Sequence, residues 1–287
     1  MKKFAVTTAT LITLVFGFVT TGSVEAAAPS DVWEDTSYVI TPSDNISERV
    51  TVLISGGATP SAFYGELIGG ATYAPVREFA IAMGAASVVR SNNTVSVSAD
   101  GLELNATAGD IYIEANGRYL YVPEMCLLIG DSVHAPVRVL AEAFGAEVDW
   151  SGELMIARVA PGSGPISPEK PYSDEDLYWM SRIITAEARG ECFEGQIAVG
   201  NIIMNRIALD YYPDTVYGVV FDGIQFTPAL TGAIHNTPTE QCILAAKLAL
   251  EGVRTVGDSL YFAATTKCWA NNNRGYYGAV GGHYFYL

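Results

Sequence analysis

The chain has 287 residues, 31 Asp and Glu against 16 Lys and Arg, and a formal net charge of -15. Such a surface repels phosphate backbones and anionic lipid, and no block of Lys or Arg offers a local exception, so nucleic acid is excluded as a partner. Its four cysteines, Cys126, Cys192, Cys242 and Cys268, show no paired short spacing of the zinc-cluster kind. One bridge in the C-terminal half and buried free thiols both stay open, and neither a metal nor another cofactor is expected.

Residues 1–26 read as a secretory signal: Lys2 and Lys3 precede an apolar run from Phe4 to Val19, and small residues follow up to Ala26. The run falls short of the roughly 20 apolar residues that a spanning helix needs. The mature protein is therefore expected outside the cytoplasm, with residues 27–59 as a flexible segment.

An internal repeat organises residues 60–160. Ala74-Pro75-Val76-Arg77 with Ala80, Ala82, Gly84 and Ala85 recurs as Ala135-Pro136-Val137-Arg138 with Ala141, Ala143, Gly145 and Ala146. In each copy proline ends an extended stretch, a short helix follows and glycine stops it. Strands are predicted at Ser87–Arg90, Thr94–Ser98, Leu102–Asn105, Ile111–Ala115, Tyr119–Val122, Glu147–Trp150 and Leu154–Arg158, which makes this half α+β, an antiparallel sheet with short helices. The repeats resemble the stalk domain at the N-terminus of some copper amine oxidases, which implies a structural or wall-facing module. His134 has no partner ligand nearby in sequence, so no copper chemistry is carried over. Residues 161–172, rich in Pro, Gly and Ser, read as a linker.

Residues 173–287 carry the chemistry. Ser173 is placed to cap a helix whose first turn is acidic. Leu177, Met180, Ile184 and Glu187 fall at spacings of three and four, which sets the Glu187 carboxylate on the apolar face. Burial without a cation would keep that acid protonated for donation to a glycosidic oxygen; a structural pairing with Arg182 or Arg189 is the competing reading. A second helix, opening at Glu194-Gly195-Gln196 and closing at Asn205-Arg206, is apolar nearly all round and must be buried. Cys242–Leu250 reads as a third, and Ser259–Ala263 and His283–Tyr286 as paired strands across a long loop that contains Trp269.

The string Ala186-Glu187-Ala188-Arg189-Gly190-Glu191, then Glu194 to Val199, Asn205-Arg206, Gln225-Phe226-Thr227 and His283-Tyr284-Phe285-Tyr286, resembles the catalytic domain of spore cortex-lytic cell wall hydrolases. Cys192 stands where that family commonly has proline. The resemblance implies a lysozyme-like fold, mainly helical with a small β element. It also implies lytic transglycosylase activity on peptidoglycan, Glu187 as catalytic acid and base, and Gln225 and Phe226 in the cleft.

Asn205, Tyr217, Trp269 and His283 complete the expected substrate-binding set, by hydrogen bonding or stacking on sugar rings. Peptidoglycan is the expected partner, with an unidentified wall or spore-coat protein as a second candidate. Expected location is the cell wall, vegetative or spore. Three other readings compete: a zinc amidase drawing on His235 and His283, a cysteine peptidase with Cys192 as nucleophile, and a non-catalytic wall-binding protein.

Overall fold

The computed structural model describes residues 39–40, 48–55, 60–223 and 225–287. The expected signal segment and much of the expected flexible segment lie outside the described residues. Among the described residues no helix is long and apolar enough to cross a membrane.

The N-terminal part runs β1 (Val39–Ile40), β2 (Glu48–Ile54), β3 (Ser61–Ile68), β4 (Ala71–Pro75), α1 (Val76–Ala82), β5 (Ser87–Ser91), β6 (Thr94–Ala99), β7 (Leu102–Thr107), β8 (Tyr112–Ala115) and β9 (Arg118–Tyr121). It continues through β10 (Leu127–Ile129), β11 (Ser132–Pro136), α2 (Val137–Phe144), β12 (Ala146–Ser151) and β13 (Ile156–Pro161). One sheet has the order β1-β10-β11-β4-β3-β2-β13-β12, and β5 to β9 form a separate antiparallel meander. The larger sheet is antiparallel except where β1 meets β10 and β13 meets β2.

The repeat closes on itself: β4 and β11 pair antiparallel, Ala74 opposite Ala135, and each runs through its proline straight into its helix. Proline fits there because the first helical turn needs no amide donor. Phe79 and Phe144, one from each copy, meet at 5.8 Å in the shared core. His134 is buried, its Nδ1 bonded to the Ser132 carbonyl at 2.9 Å, and burial lowers its pKa: a structural histidine.

One sequence expectation needs correction here. Glu48–Ile54, placed in the flexible segment, is a central strand; Val50, Val52 and Ile54 alternate into the core, and the strand lies between β3 and β13. Its second partner is about a hundred residues away in sequence, and only that pairing fixes it. Residues 162–172 hold no helix or strand, as expected of a linker, yet they are tied down. Ile166 donates to the Ala143 carbonyl and accepts from Asn116, and Gly145, left-handed at the end of α2, lies so near the Gly164 carbonyl that no Cβ would fit.

The C-terminal part is mainly helical: α3 (Asp174–Ala188), α4 (Phe193–Ile207), α5 (Val216–Phe221), α6 (Thr227–Thr231), α7 (Glu240–Leu250) and α8 (Trp269–Asn273). Its small sheet has the order β14 (Tyr261–Ala263), β16 (His283–Tyr286), β15 (Tyr276–Val280). The predicted pairing of the first and last strands is present, Tyr261 opposite Tyr286. The predicted loop between them holds α8 and β15 instead.

The two cores meet within one body that holds all the described residues. Ile111, Tyr112, Tyr119 and Tyr121, on and beside the β8–β9 hairpin, pack into the helical core. Lys247 of α7 donates to the Tyr119 hydroxyl at 3.0 Å. Beside it, Arg118 and Glu251 pair at 2.7 Å, with 20% and 3% of their side chains exposed.

Removing one partner of a desolvated pair strands the other, which costs about 3 kcal/mol or more. Arg118→Ala should therefore lower thermal stability by about that amount, because it leaves the Glu251 carboxylate buried and alone. Arg158→Ala, which removes an exposed pair with Asp149 at 3.5 Å, should stay within about 0.5 kcal/mol of the parent.

Candidate active site

Helix α3 starts on a capping box: the Ser173 hydroxyl accepts from the Asp176 amide at 3.0 Å, and Asp176 accepts from the Ser173 amide at 3.0 Å. Met180, Ile183, Ile184 and Ala188 then bury one face against the other helices. Glu187, one residue before the helix ends, is half-buried on that face. Neither ion pair among the described residues involves it, and its carboxylate has no hydrogen-bond partner there. Arg182 instead lies over Tyr178 and donates to the Asn236 carbonyl. Burial, with no cation offsetting it, pushes the Glu187 pKa above the usual carboxylate range.

Helix α4 has no solvent face along its middle; every residue from 195 to 203 is buried. Its C-terminal polar side chains turn to the backbone of the following segments. Asn201 donates to Val253, Asn205 to Gly257 and Ser259, and Arg206, through Nε and Nη2, to the Leu260 carbonyl at 3.0 and 2.8 Å. Asn205 is thus engaged with backbone and lines no part of the cleft, which corrects its expected sugar-binding role. A buried amide that reaches two carbonyls has no donor to spare.

The cleft has a volume of about 720 Å³. Glu187, Gln225, Phe226, Trp269 and His283 line it, so five of the seven expected site residues come together, from α3, the turn before α6, α8 and β16. Gln225 is exposed, Phe226 is buried, and Trp269 is 58% exposed. Tyr217 is not part of it. It sits on α5 with its ring 5.3 Å from Trp179 and 4.6 Å from Phe221, an aromatic cluster separate from the cleft lining.

His283 packs against Phe262 at 5.1 Å; its Nδ1 is buried with no hydrogen-bond partner among the described residues, and burial lowers its pKa, so the ring is neutral near pH 7. Among the lining residues that sequence did not single out are Arg206 and Tyr261. The signal for the first was available: an arginine at the end of a helix that is otherwise buried all round must have a buried task. Tyr261 accepts from Arg274 Nη2 at 3.1 Å and from Tyr212; the Tyr212 bond, then the bond and charge of Arg274, lower its pKa.

Glu191 lies apart. Its carboxylate accepts from the Gly282 amide at 2.5 Å and so ties the α3–α4 junction to the β15–β16 turn. Cys192 is exposed at the start of α4 and does not line the cleft; all four cysteines are free thiols. His235 meets Trp179 edge-on, with 6.2 Å between ring centres, whereas His283 lines the cleft.

Residues 190–286 match the family model described as Cell Wall Hydrolase, and residues 58–156 that of the copper amine oxidase N-terminal domain. The first match starts at residue 190, so Glu187 falls just outside it. A spore cortex-lytic enzyme of Halalkalibacterium halodurans is 40% identical over 91 residues, which cover 32% of this chain and 28% of that protein. One from Oceanobacillus iheyensis is 36% identical over 101 residues, covering 35% and 37%. The chain thus spans about a third of the length of the curated relatives it matches. Among solved structures, the catalytic domain of the germination-specific lytic transglycosylase SleB from Bacillus anthracis is 33% identical, covers 40% of this chain and 97% of that chain, and has a TM-score of 0.38.

The raised pKa of Glu187 has a definite sign for stability. The folded form binds its proton more tightly than the unfolded chain, so the contribution is full below the ordinary carboxylate pKa and is lost as pH rises through the raised one. Glu187→Gln cannot ionise. Its melting temperature should match that of the parent in acid and exceed it progressively toward neutral pH, as followed by thermal denaturation across that range.

Proposed function

With residues 190–286 forming a cell wall hydrolase domain behind a copper amine oxidase N-terminal-like domain, we propose that this chain cleaves the glycan strand of peptidoglycan, with Glu187 as its one acid and base. The observation that carries the reading is that Glu187 supplies the one carboxylate among the described residues lining the cleft, half-buried and unpartnered. A hydrolytic glycosidase needs two carboxylates, roughly 5 to 9.5 Å apart according to stereochemistry. An intramolecular transfer needs one.

In the proposed sequence, Glu187 gives its proton to the glycosidic oxygen as the bond from the muramic anomeric carbon to that oxygen breaks. The leaving sugar departs as an alcohol. The Glu187 carboxylate then takes the proton of the muramic 6-hydroxyl while that oxygen bonds to the same anomeric carbon. The products are a new sugar end and a 1,6-anhydromuramic end; no water is consumed and Glu187 ends protonated. Gln225 and Trp269 would hold the strand by hydrogen bonding and ring stacking, while buried Phe226 shapes the wall. The action falls outside the cytoplasm, on wall or spore-cortex peptidoglycan, and the relatives named spore cortex-lytic enzymes favour that setting.

Digestion of purified peptidoglycan tests this directly. The parent should release fragments with anhydromuramic ends, and Glu187→Gln should cut that release by about 10² to 10⁴. Glu191→Gln should leave it within about threefold, since that group holds a turn. New amino groups in place of new sugar ends would mean an amidase or peptidase. The pH profile of kcat/KM separates one acid from two: a single descending limb above the ordinary carboxylate range is expected, whereas an ascending limb as well would indicate a second essential carboxylate.

A further inference from the structure

Another cavity, of about 440 Å³, lies within the N-terminal part, inside the range of roughly 300 to 1,000 Å³ in which small ligands bind. It opens between the β3–β4 turn, the first turn of α2 and the strands β12 and β13. Strand alternation puts Val148 and Trp150 on one face of β12, and both line the cavity. Trp150 stands opposite Ala157 of β13, whose small side chain crowds it little, and the indole is 36% exposed. Strand β12 is the edge of its sheet, so no further strand covers that ring.

The two copies of the repeat differ at this place. Arg77 of the first copy donates to the Val88 carbonyl at 3.3 Å and so fastens its own strand, β5. Arg138, its counterpart, is exposed, makes no side-chain hydrogen bond or ion pair among the described residues, and lines the cavity. At the same offset Trp150 stands where the first copy has Val89. Thr72 adds a hydroxyl that also has no partner among the described residues. One copy thus uses its arginine to hold a strand, and the other leaves a guanidinium and an indole in one groove. In a chain of net charge -15, no Asp or Glu is among the residues lining it.

We propose that this groove is a glycan-binding subsite: Trp150 stacks on the face of an N-acetylhexosamine ring, while Arg138 and Thr72 donate to its acetamido and hydroxyl oxygens. The indole face matches the C–H face of a sugar ring, and a planar guanidinium presents several donors to the oxygens at its rim. A groove of donors without a carboxylate suits such an acceptor-rich ligand and gives a basic one nothing to pair with. The choice of polymer rests on the glycan-cleaving function proposed above. A wall offers the same sugars many times over, so a second weak contact lengthens the enzyme's residence there without any new contact in the cleft. Trp150 then governs retention on insoluble wall and leaves turnover of short strands alone.

The test uses the full chain carrying Glu187→Gln, labelled with nitrogen-15 at tryptophan and titrated with a peptide-free tetrasaccharide of alternating N-acetylglucosamine and N-acetylmuramic acid. Trp150→Phe and Trp269→Phe assign the indole N–H signals of the groove and of the cleft. Both signals should shift saturably, and adding Arg138→Gln, an exposed position, should weaken binding about tenfold at Trp150 while the Trp269 response stays as it was. With the catalytic acid intact, Trp150→Ala should sediment about tenfold less with purified insoluble peptidoglycan yet cleave soluble strands at the parental rate. A shift at Trp269 alone, or a Trp150→Ala variant that sediments like the parent, would overturn the subsite and leave the cleft's function standing. A shift at Trp150 alone would uphold the subsite and count against the cleft; a shift at neither would overturn both. A Trp150 signal that moves with protein concentration and not with sugar would assign the groove to a second copy of the chain, and the subsite would fall.

Discussion

Everything in the C-terminal part is arranged around the fact that α4 has no face it can show to water. Its middle residues are apolar or small apart from Gln196 and Asn201, and Gly200 lets α7 approach so closely that a Cβ there would sit 2.7 Å from the Ala249 side chain. Enclosing such a helix requires α3 and α7 on its flanks and the small sheet beside it. Once enclosed, its few polar groups must find partners inside, and Asn201, Asn205 and Arg206 find them on the backbone of residues 253–260. Those bonds place the start of β14, and with it Tyr261 in the wall of the cleft. Burial of one helix thus determines where the cleft lies.

The cleft keeps two features that folding alone would remove. Among the described residues, Glu187 is half-buried with no cation offsetting its burial, and Arg206 is buried with one nitrogen lacking a hydrogen-bond partner. Either feature opposes folding, and both line the same cavity. Unsatisfied charge held in place by a rigid scaffold is what binding and proton transfer require, since a ligand or transition state gains what the folded protein lacks. The N-terminal part supports that scaffold from outside: the β8–β9 hairpin seats on α7, the helix that closes one flank of α4.

Much of this was legible in the residues. Periodicity located α3, α4 and α7, the proline-to-glycine repeat located α1 and α2, and alternation located most strands of the meander. It failed at β2, which needs the distant β13, and at β15, whose pattern is broken by Gly278 although its partner β16 follows directly. For the site, spacing put Glu187 on the correct helix face and motif order brought Gln225, Phe226, Trp269 and His283 into one cavity. Asn205 and Tyr217 went astray because sequence gives a residue's chemistry without the direction of its side chain. Asn205 turns to carbonyls 52 and 54 positions away, and Tyr217 turns to Trp179.

The sequence by itself determined the class of each part, the face on which the acid lies and the order of the elements, because helical and strand periodicity, capping and proline act over a few residues. Whether Glu187 would be paired or alone, whether Arg206 would retain a free nitrogen, and whether the linker would swing or be held were decided only in three dimensions. Each of those depends on which groups from remote parts of the chain share a low-dielectric space, and no local pattern encodes that.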